Sequence, residues 1–487
     1  MNELQQMGKR SLAAIAAATL AACAAPQFKQ PEVAVPAAFK EAPGQPLTAA
    51  DGSVWQTARP AEAQPRGQWW LAFRDPALTA LIDEATVGSA TLGEAAARLR
   101  QARAIAGIAE ADRSIQVGVD AGAVRQKASP TSRGLPDGTN VAPATAYHAR
   151  LTASYEVDLF GRVASSVSAA GGDAAASEAT YRSVLLALQA DVAQTYFRLR
   201  SLDAELATLA RTVSLRDQSV KLTERRYALG DIGEFDVTRA RTELSTARAE
   251  AIGLQQQRAT SEHALAVLLG RPAASFSATV NPLENLASVP VIPPGLPSSL
   301  LQRRPDIATA QHTMEAANAR IGVARAAMFP ALALSGAAGG EGGSAADIFK
   351  WSSRSFLLGA LLSAPLIDGG RNHNNVVRSE AALEQAVAAY RQHVLVAFAE
   401  VEDSLSGLRI LAEQAGEIDA AVASARRSAE LAQLLYDAGR TSYIDLLEAQ
   451  RNLSSIERSA VQLRGQRAIS TVALVRALGG GWGQDPV

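Results

Sequence analysis

Two long stretches of the chain carry apolar side chains at a spacing of seven residues. The first series is Leu185, Val192, Leu199, Leu206, Val213, Val220 and Tyr227, and the second is Val394, Val401, Leu408, Ala415, Val422, Ala429 and Tyr436. Sustained heptads of this kind predict helices that pack against each other as coiled coils. No proline interrupts residues 162–227, so this helix alone is expected to extend about 100 Å, given the rise per residue of an α-helix.

The two series belong to a repeat with a fixed offset of 209 residues, since 436 − 227 = 209. The same offset relates Gly161 to Gly370, Arg162 to Arg371, Gly230 to Gly439, Asp236 to Asp445, Ala240 to Ala449, Leu244 to Leu453, Leu269 to Leu478 and Gly270 to Gly479. So many matches at one offset, without a relative insertion, indicate an internal duplication.

Each copy is predicted to form a long helical hairpin. The turn follows the heptad series, at Tyr227 and Gly230 in the first copy and at Tyr436 and Gly439 in the second. Glycine permits the left-handed cap that ends a helix, and a returning helix follows in each copy. We therefore assign Tyr227, Gly230 and Gly439 a structural part in the hairpin turns.

Four shorter segments alternate apolar and polar side chains instead. They are "IQVGVDAGA" from Ile115, "YHARLTASYEVD" from Tyr147, "PALALSGAAG" from Pro330 and "SFLLGALLSAP" from Ser355, and the first two alternate more clearly. Alternation with period two predicts strands with one wet face and one apolar face, in two pairs at about 115–158 and 331–365.

The length of these strands suits a transmembrane β-barrel, although a small soluble β-domain has the same alternation. Four strands are too few to close a barrel, and an open sheet edge in lipid is costly. Strands that span a membrane therefore require an oligomer, and a trimer supplies twelve. The predicted fold is mainly α with membrane β, with duplicated long coiled-coil helical hairpins and four transmembrane strands per protomer.

The N-terminus has the pattern of a secretory signal. Lys9 and Arg10 precede the apolar segment Ser11–Leu20, which is too short to span a bilayer. The following Leu-Ala-Ala-Cys resembles a bacterial lipobox, which implies that Cys23, the only cysteine, is lipidated. The residue after it is Ala24, which by the same resemblance favours sorting to the outer membrane. An ordinary signal peptide with small residues near its cleavage site is the alternative.

Composition and the remaining motifs divide the chain further. We predict a signal peptide at 1–22, an extended strap at 23–66, a first repeat at 67–270, a proline-rich equatorial linker at 271–304, a second repeat at 305–480 and a tail at 481–487. At the two predicted strand-to-helix junctions stand Gly161-Arg162 and Gly370-Arg371. Glycine allows a sharp bend there, and arginine is expected near the membrane edge.

Charge and chemistry exclude several function classes. Lys and Arg number 47 against 48 Asp and Glu, which argues against a partner made of nucleic acid. The five histidines show no metal-ligand spacing, and the sequence contains no nucleophile–base set and no phosphate-binding loop. We therefore expect no enzyme activity, no metal and no cofactor other than the covalent lipid on Cys23.

Several motifs together resemble the TolC/OprM family of outer-membrane efflux factors, in its lipoprotein branch. They are "WWLAFRDPALTALIDEA" from Trp69, "YEVDLFGR" from Tyr155, "LLQRRPDI" from Leu300 and the turn "YxxGxxxYIDLLEAQ" from Tyr436. The resemblance implies a lipid-anchored homotrimer in the outer membrane of a Gram-negative bacterium. In such a trimer the duplicated hairpins form an α-barrel, and the three protomers share a 12-strand β-barrel. It also implies two partners, a periplasmic adaptor protein and an inner-membrane RND-type pump. Such a channel is a passive exit for small molecules such as drugs. A duct for type I protein secretion and a periplasmic coiled-coil adaptor without a pore remain alternatives.

The resemblance also implies a periplasmic gate at the hairpin tips. By position, Asp236 and Tyr436 are candidate partners in a link that closes the channel. Asp445 and Glu448, three residues apart on one helix face, would present stacked acidic rings to the lumen. Arg440 belongs to the same gate, and its partner is not specified. Alternatively, both aspartates cap the returning helices, and Glu448 is an ordinary solvated charge.

Overall fold

The computed structural model describes residues 28–33, 35–36, 38–41, 68–283, 300–301 and 303–480. Cys23 and the signal segment lie outside these residues, as do most of the predicted strap, 284–299 of the predicted linker and the tail at 481–487. The lipid anchor of Cys23 therefore remains a prediction.

Helices dominate the described residues. They are α1 (Pro76–Gly88), α2 (Ala90–Ala111), α3 (Arg162–Ala228), α4 (Glu234–Leu268), α5 (Pro305–Ala326), α6 (Arg371–Asp437) and α7 (Tyr443–Ala477). The offset of 209 residues carries α3 onto α6 and α4 onto α7 at both ends, which confirms the duplication. None of these described helices combines the length and the apolarity that a membrane-spanning helix needs.

The heptad positions lie on the packed side of the long helices. Val192, Leu199 and Val220 are buried in the first copy, and Val394 and Val401 in the second. The repeat is not symmetric at its last heptad position. Tyr227 keeps 47% of its surface exposed, whereas Tyr436 keeps 7%. The two copies of the hairpin therefore differ in burial at this position.

Four antiparallel strands form one sheet in the order β1-β2-β3-β4. They are β1 (Gln116–Gln126), β2 (Ala144–Val157), β3 (Ala331–Gly342) and β4 (Arg354–Ser363). The predicted strand pairs are confirmed, and the register joins them, because β2 pairs with β3 along its length. On one face, Gln116, Asp120, Arg150 and Ser154 oppose one another, and the other face carries Val117, Val119, Leu151 and Ala153. One polar face and one apolar face are thus present, as predicted.

The chain divides into two compact units, and each draws on both repeats. The first includes Arg98–Glu178 and Thr309–Tyr390 and contains the sheet. The second includes the described parts of Ala179–Ala308 and Arg391–Val487 and contains both hairpin turns.

Within the second unit, the motif that begins at Trp69 folds onto α3. The indole rings of Trp69 and Trp70 are buried in the largest hydrophobic cluster, together with Phe197. Asp75 caps α1 through the backbone N–H groups of Ala77 and Leu78, 3.0 and 3.2 Å away. The same carboxylate accepts hydrogen bonds from side chains of α3, namely the Tyr196 hydroxyl (2.8 Å) and the Arg200 guanidinium (2.6 Å).

The "RRPDI" motif anchors the start of α5 in the same unit. Arg304 is 7% exposed. Its guanidinium donates to Asp306 at 2.7 Å, to Glu400 of α6 at 2.6 Å and to the carbonyl of Ala477 at the end of α7 at 2.8 Å. One buried cation therefore ties together three helices of the second repeat.

Candidate functional site

The two hairpin turns have the same backbone structure. Gly230 and Gly439 adopt positive φ angles of 80° and 70°, where only glycine is free of strain. The capping bonds run from Gly230 N to Tyr227 O (2.9 Å), Asp231 N to Arg226 O (2.9 Å), Gly439 N to Tyr436 O (3.0 Å) and Arg440 N to Leu435 O (2.8 Å). This pair of bonds is the Schellman motif. The predicted structural part of both glycines is confirmed.

The returning helices begin differently in the two copies. Ser442 caps α7, and Asp445 completes a capping box with it. The repeat places Gly233 at the same position before α4, so that helix has no side-chain cap. Asp236, the counterpart of Asp445, is half-buried, and its backbone N–H donates to the carbonyl of Gly233 at 3.2 Å. Its side-chain carboxylate has no hydrogen-bond or ion-pair partner among the described residues. Asp445 thus caps its helix, as the capping alternative predicts. Asp236 lies in the first turn of α4, where a carboxylate interacts favourably with the helix dipole, but it makes no capping hydrogen bond.

Asp445 and Glu448 lie on one exposed side of α7. Hydrogen bonds from Ser442 and Thr441 lower the pKa of Asp445, so its carboxylate is charged at neutral pH. Their common face is as predicted from the spacing. A role for the pair as stacked acidic rings stays a prediction, as does the gate role of the exposed Arg440.

Tyr436 joins the two hairpins. Its hydroxyl accepts a hydrogen bond of 2.9 Å from Nη1 of Arg226 at the end of α3. The guanidinium lies 5.3 Å from the centre of the Tyr436 ring, within the range of a cation–π contact. No hydrogen bond joins Tyr436 and Asp236 within one chain. The Tyr436 hydroxyl accepts from Arg226 and keeps its own proton to donate, so a link to Asp236 of a neighbouring protomer stays a prediction.

Apolar side chains of both hairpins surround this link. This group, the tip cluster, consists of Val220, Ala240, Leu244, Tyr436, Tyr443, Leu446 and Leu447. The rings of Tyr436 and Tyr443 lie 6.0 Å apart. Burial raises the pKa of Tyr443, and the nearby charge of Arg216 acts in the opposite direction. Tyr443 is therefore neutral at physiological pH.

A buried polar layer follows the tip cluster. Arg216 of α3 is 4% exposed and donates a hydrogen bond of 2.9 Å to Gln450 of α7. Burial lowers its pKa, but arginine remains charged in proteins. A cavity of about 130 Å³ lies beside the layer, between α3, α6 and α7, and Tyr436 and Gln450 contribute to its wall.

Ion pairs run along both seams of the hairpins. Between the hairpins, Arg451 binds Glu243 and, seven residues on, Arg458 binds Glu250. Within the hairpins, Asp217 binds Arg248 at 3.1 Å in the first, and Arg426 binds Glu457 at 2.8 Å in the second. The offset of 209 residues relates Asp217 to Arg426 and Arg248 to Glu457. The same two positions are therefore paired in both copies, with their charges exchanged.

The strand-to-helix junctions confirm the bends predicted there. Gly161 and Gly370 have φ angles of 73° and 85°. Arg162, at the start of α3, forms two hydrogen bonds of 2.7 and 2.6 Å with Glu156 of β2. Its guanidinium thus has a partner in the protein, whereas Arg371 is exposed.

The sequence identified Tyr436 as a tip residue but did not identify Arg226, Arg216 or Tyr443. One sequence signal could have singled out Arg226, since the second copy has Leu435 at the equivalent position. A repeat does not show which faces of the two hairpins meet, however, and that contact decides the partners. Among the described residues, no group of three or more His, Cys, Asp or Glu side chains could hold a metal ion.

Several known proteins are similar to this chain over most of its length. The family described as "Outer membrane efflux protein" matches residues 81–271 and 296–480. The pyoverdine export outer membrane protein OpmQ of Pseudomonas aeruginosa is 35% identical over 420 residues, 86% of this chain and 88% of OpmQ. The outer membrane protein OprJ of the same species is 33% identical over 472 residues, 96% of this chain and 95% of OprJ. The crystal structure of the open state of the Neisseria gonorrhoeae MtrE outer membrane channel has a TM-score of 0.79 at 28% identity and covers 94% of this chain and 98% of MtrE.

Proposed function

This chain belongs to the outer membrane efflux protein family, and we propose that its hairpin turns form the closed periplasmic end of a channel. The protein is the outer-membrane exit duct of a tripartite efflux system for small molecules. Channel formation, rather than catalysis, is the activity of this family. A protein-secretion duct and a pore-free adaptor are not favoured by the relatives.

The architecture follows from the family. Four strands of each protomer contribute to a β-barrel shared by three chains, and the long hairpins contribute to a helical barrel. A trimer of duplicated chains has six hairpin tips around one axis. Closure at the tips thus requires contacts between unlike hairpins, since the two copies in each chain differ.

The hydrogen bond between Arg226 and Tyr436 carries the proposal for the closed end. It joins the last turns of α3 and α6, so it opposes separation of the two tips in one chain. Asp236 supports the same assignment, because its half-buried carboxylate remains available to a neighbouring protomer. We assign Arg440, Asp445 and Glu448 to the lumenal surface of this closed end.

The partners and the anchor are further parts of the proposal. We propose that the trimer works with a periplasmic adaptor and an RND-type inner-membrane pump, as the resemblance implies. We also propose that a lipid on Cys23 anchors each chain in the outer membrane of a Gram-negative cell. Three anchored chains would hold the assembly firmly, because each added acyl chain strengthens membrane binding.

The test of this function uses the purified full-length protein. Electron microscopy in detergent should show threefold particles, and planar bilayers should show a small, cation-preferring conductance. A compact monomer that forms no channels in the bilayer would overturn the proposal.

A further inference from the structure

The charged side chains on the polar face of the sheet gather at one level. They are Asp120 on β1, His148 and Arg150 on β2 and Glu341 on β3, and we call them the outer charge layer. Arg150 is in register with Asp120, and His148 is in register with Glu341. This level lies at the end of the sheet away from α3, near the strand-connecting loops.

Three members of the layer are in contact with one another through Asp120, and Glu341 is placed beside them by the register. Nε2 of His148 lies 2.9 Å from Oδ1 of Asp120, and the Arg150 guanidinium lies 3.5 Å from the same oxygen. Gly122, opposite His148, leaves room for the imidazole, because a Cβ there would meet the ring at 3.1 Å. The glycine therefore allows the ring to lie against the sheet beside Asp120.

Between the outer charge layer and Glu156, the polar face of the sheet carries neutral side chains. Thr152 and Ser154 follow along β2, facing Gly118 and Gln116 of β1. The next charge is Glu156, which is bound to Arg162.

The loop between β3 and β4 does not add a charge to this face. Its short helix, Ala345–Phe349, packs at Gly340 and Gly342, which belong to the opposite face. Its Asp347 is paired with Lys350 at 2.5 Å. Within the sheet, the charged side chains around His148 are therefore Asp120, Arg150 and Glu341.

We propose that the outer charge layer forms a second selectivity ring, at the outer end of the barrel, which sets the preference of the pore for cationic solutes. The inference rests on the proposed function, because only a shared barrel turns three copies of the layer into a ring. With His148 neutral, two carboxylates against one guanidinium give −1 per chain and −3 per trimer. Protonation of three His148 side chains brings the ring to zero.

The ring acts on solutes by electrostatics at close range. A ring of net negative charge attracts cations and repels anions in a pore. Histidine changes its charge between about pH 5 and pH 8. The preference for cations is thus stronger with His148 neutral than with His148 protonated.

The experiment measures the reversal potential of the full-length channel in a planar bilayer under a KCl gradient, at about pH 8 and about pH 5.5, the range in which histidine titrates. The wild type should lose part of its K⁺ preference at the lower pH. His148→Gln should remove most of that pH-dependent loss, and Asp120→Asn should reduce the K⁺ preference at the higher pH. His263→Gln is the matched control, since His263 is exposed on α4 and outside the sheet.

The outcomes separate this inference from the proposed function. A loss of K⁺ preference in His148→Gln as large as in the wild type would overturn the ring, while channel activity would still support the duct. Threefold particles should be checked for each variant, and Glu341→Gln, on an exposed side chain, is the second test if Asp120→Asn does not assemble. A K⁺ preference unchanged in both carboxylate variants also contradicts the proposal.

Discussion

Arg226 donates a hydrogen bond of 2.9 Å to the hydroxyl of Tyr436, 210 residues further along the chain. The two residues lie in the last turns of α3 and α6, so this contact joins the ends of two long helices. The repeat counterparts, Tyr227 and Leu435, cannot form this bond, because leucine has no donor. The contact is therefore made once per chain, although the hairpin is built twice.

Removal of this contact should loosen the closed end. Tyr436→Phe keeps the ring in the tip cluster but removes the acceptor, and hydrogen bonds to charged groups contribute about 1.5–3 kcal/mol. We expect the leak conductance in planar bilayers to rise. Tyr227→Phe is the control, since that tyrosine is exposed, and it should leave the leak unchanged. An unchanged leak in Tyr436→Phe would mean that the link does not hold the tips. The same conclusion would follow if Arg226→Gln raised the leak as much in the Tyr436→Phe background as in the wild type.

The acidic face of α7 should contribute to cation selectivity. Asp445→Asn together with Glu448→Gln removes two negative charges per chain, and the K⁺ preference should fall. Because Asp445 also belongs to a capping box, Ser442→Ala serves as the control that weakens the cap without changing charge. Reversal potentials under a salt gradient measure the effect. Equal selectivity in the double variant and the wild type would show that Asp445 and Glu448 do not form a selectivity ring.

The anchor of the second repeat should make stability depend on pH. Burial alone would raise the pKa of Asp306, but its hydrogen bond and ion pair with Arg304 outweigh burial and lower the pKa. A lowered folded-state pKa adds stability above the unfolded pKa, and this stability is lost as pH falls through the folded value. The melting temperature should therefore fall in acid, and Asp306→Asn should reduce that fall. An identical fall in the variant would assign the pH dependence to other groups.

The exchanged ion pairs should behave as units. Arg426→Glu places a carboxylate opposite Glu457, whereas Arg426→Glu with Glu457→Arg restores an ion pair in the orientation used by the first hairpin. Arg426 is exposed and Glu457 is half-buried at the surface, so the single change should cost about 1 kcal/mol, and the double change should recover most of it. Urea unfolding of the two variants and of Glu457→Arg completes the double-mutant cycle. Additive effects would mean that the two residues do not interact.

The N-terminal cysteine should carry the lipid. Cys23→Ser removes the only thiol of the chain, so metabolic labelling with a radioactive fatty acid should be lost. Immunoblotting of the same cells controls for expression. Labelling that persists in the variant would show that the lipobox assignment is wrong.

The helical hairpins and the strands of this protein could be predicted from local sequence patterns, whereas the contacts at the hairpin tips could not. Heptads, alternation and glycine caps are local properties, so the bounds of the hairpins and strands could be predicted closely. The partner of Tyr436 could not, because it depends on the contact between α3 and α6, which no local pattern encodes. The two aspartates show the same limit: Asp236 and Asp445 look alike in the repeat, but only Asp445 has Ser442 to bind.

The exchange of charge between Asp217–Arg248 and Arg426–Glu457 constrains how the two halves can recombine. A whole hairpin could be copied from one half of the gene to the other without loss of its ion pair. Copying only the segment for α4 into the place of α7 would set Arg248 against Arg426, two like charges. Gene conversion that replaces only one helix of a hairpin thus breaks an ion pair. The two halves of the gene are therefore expected to diverge independently, with the two residues of each ion pair changing together.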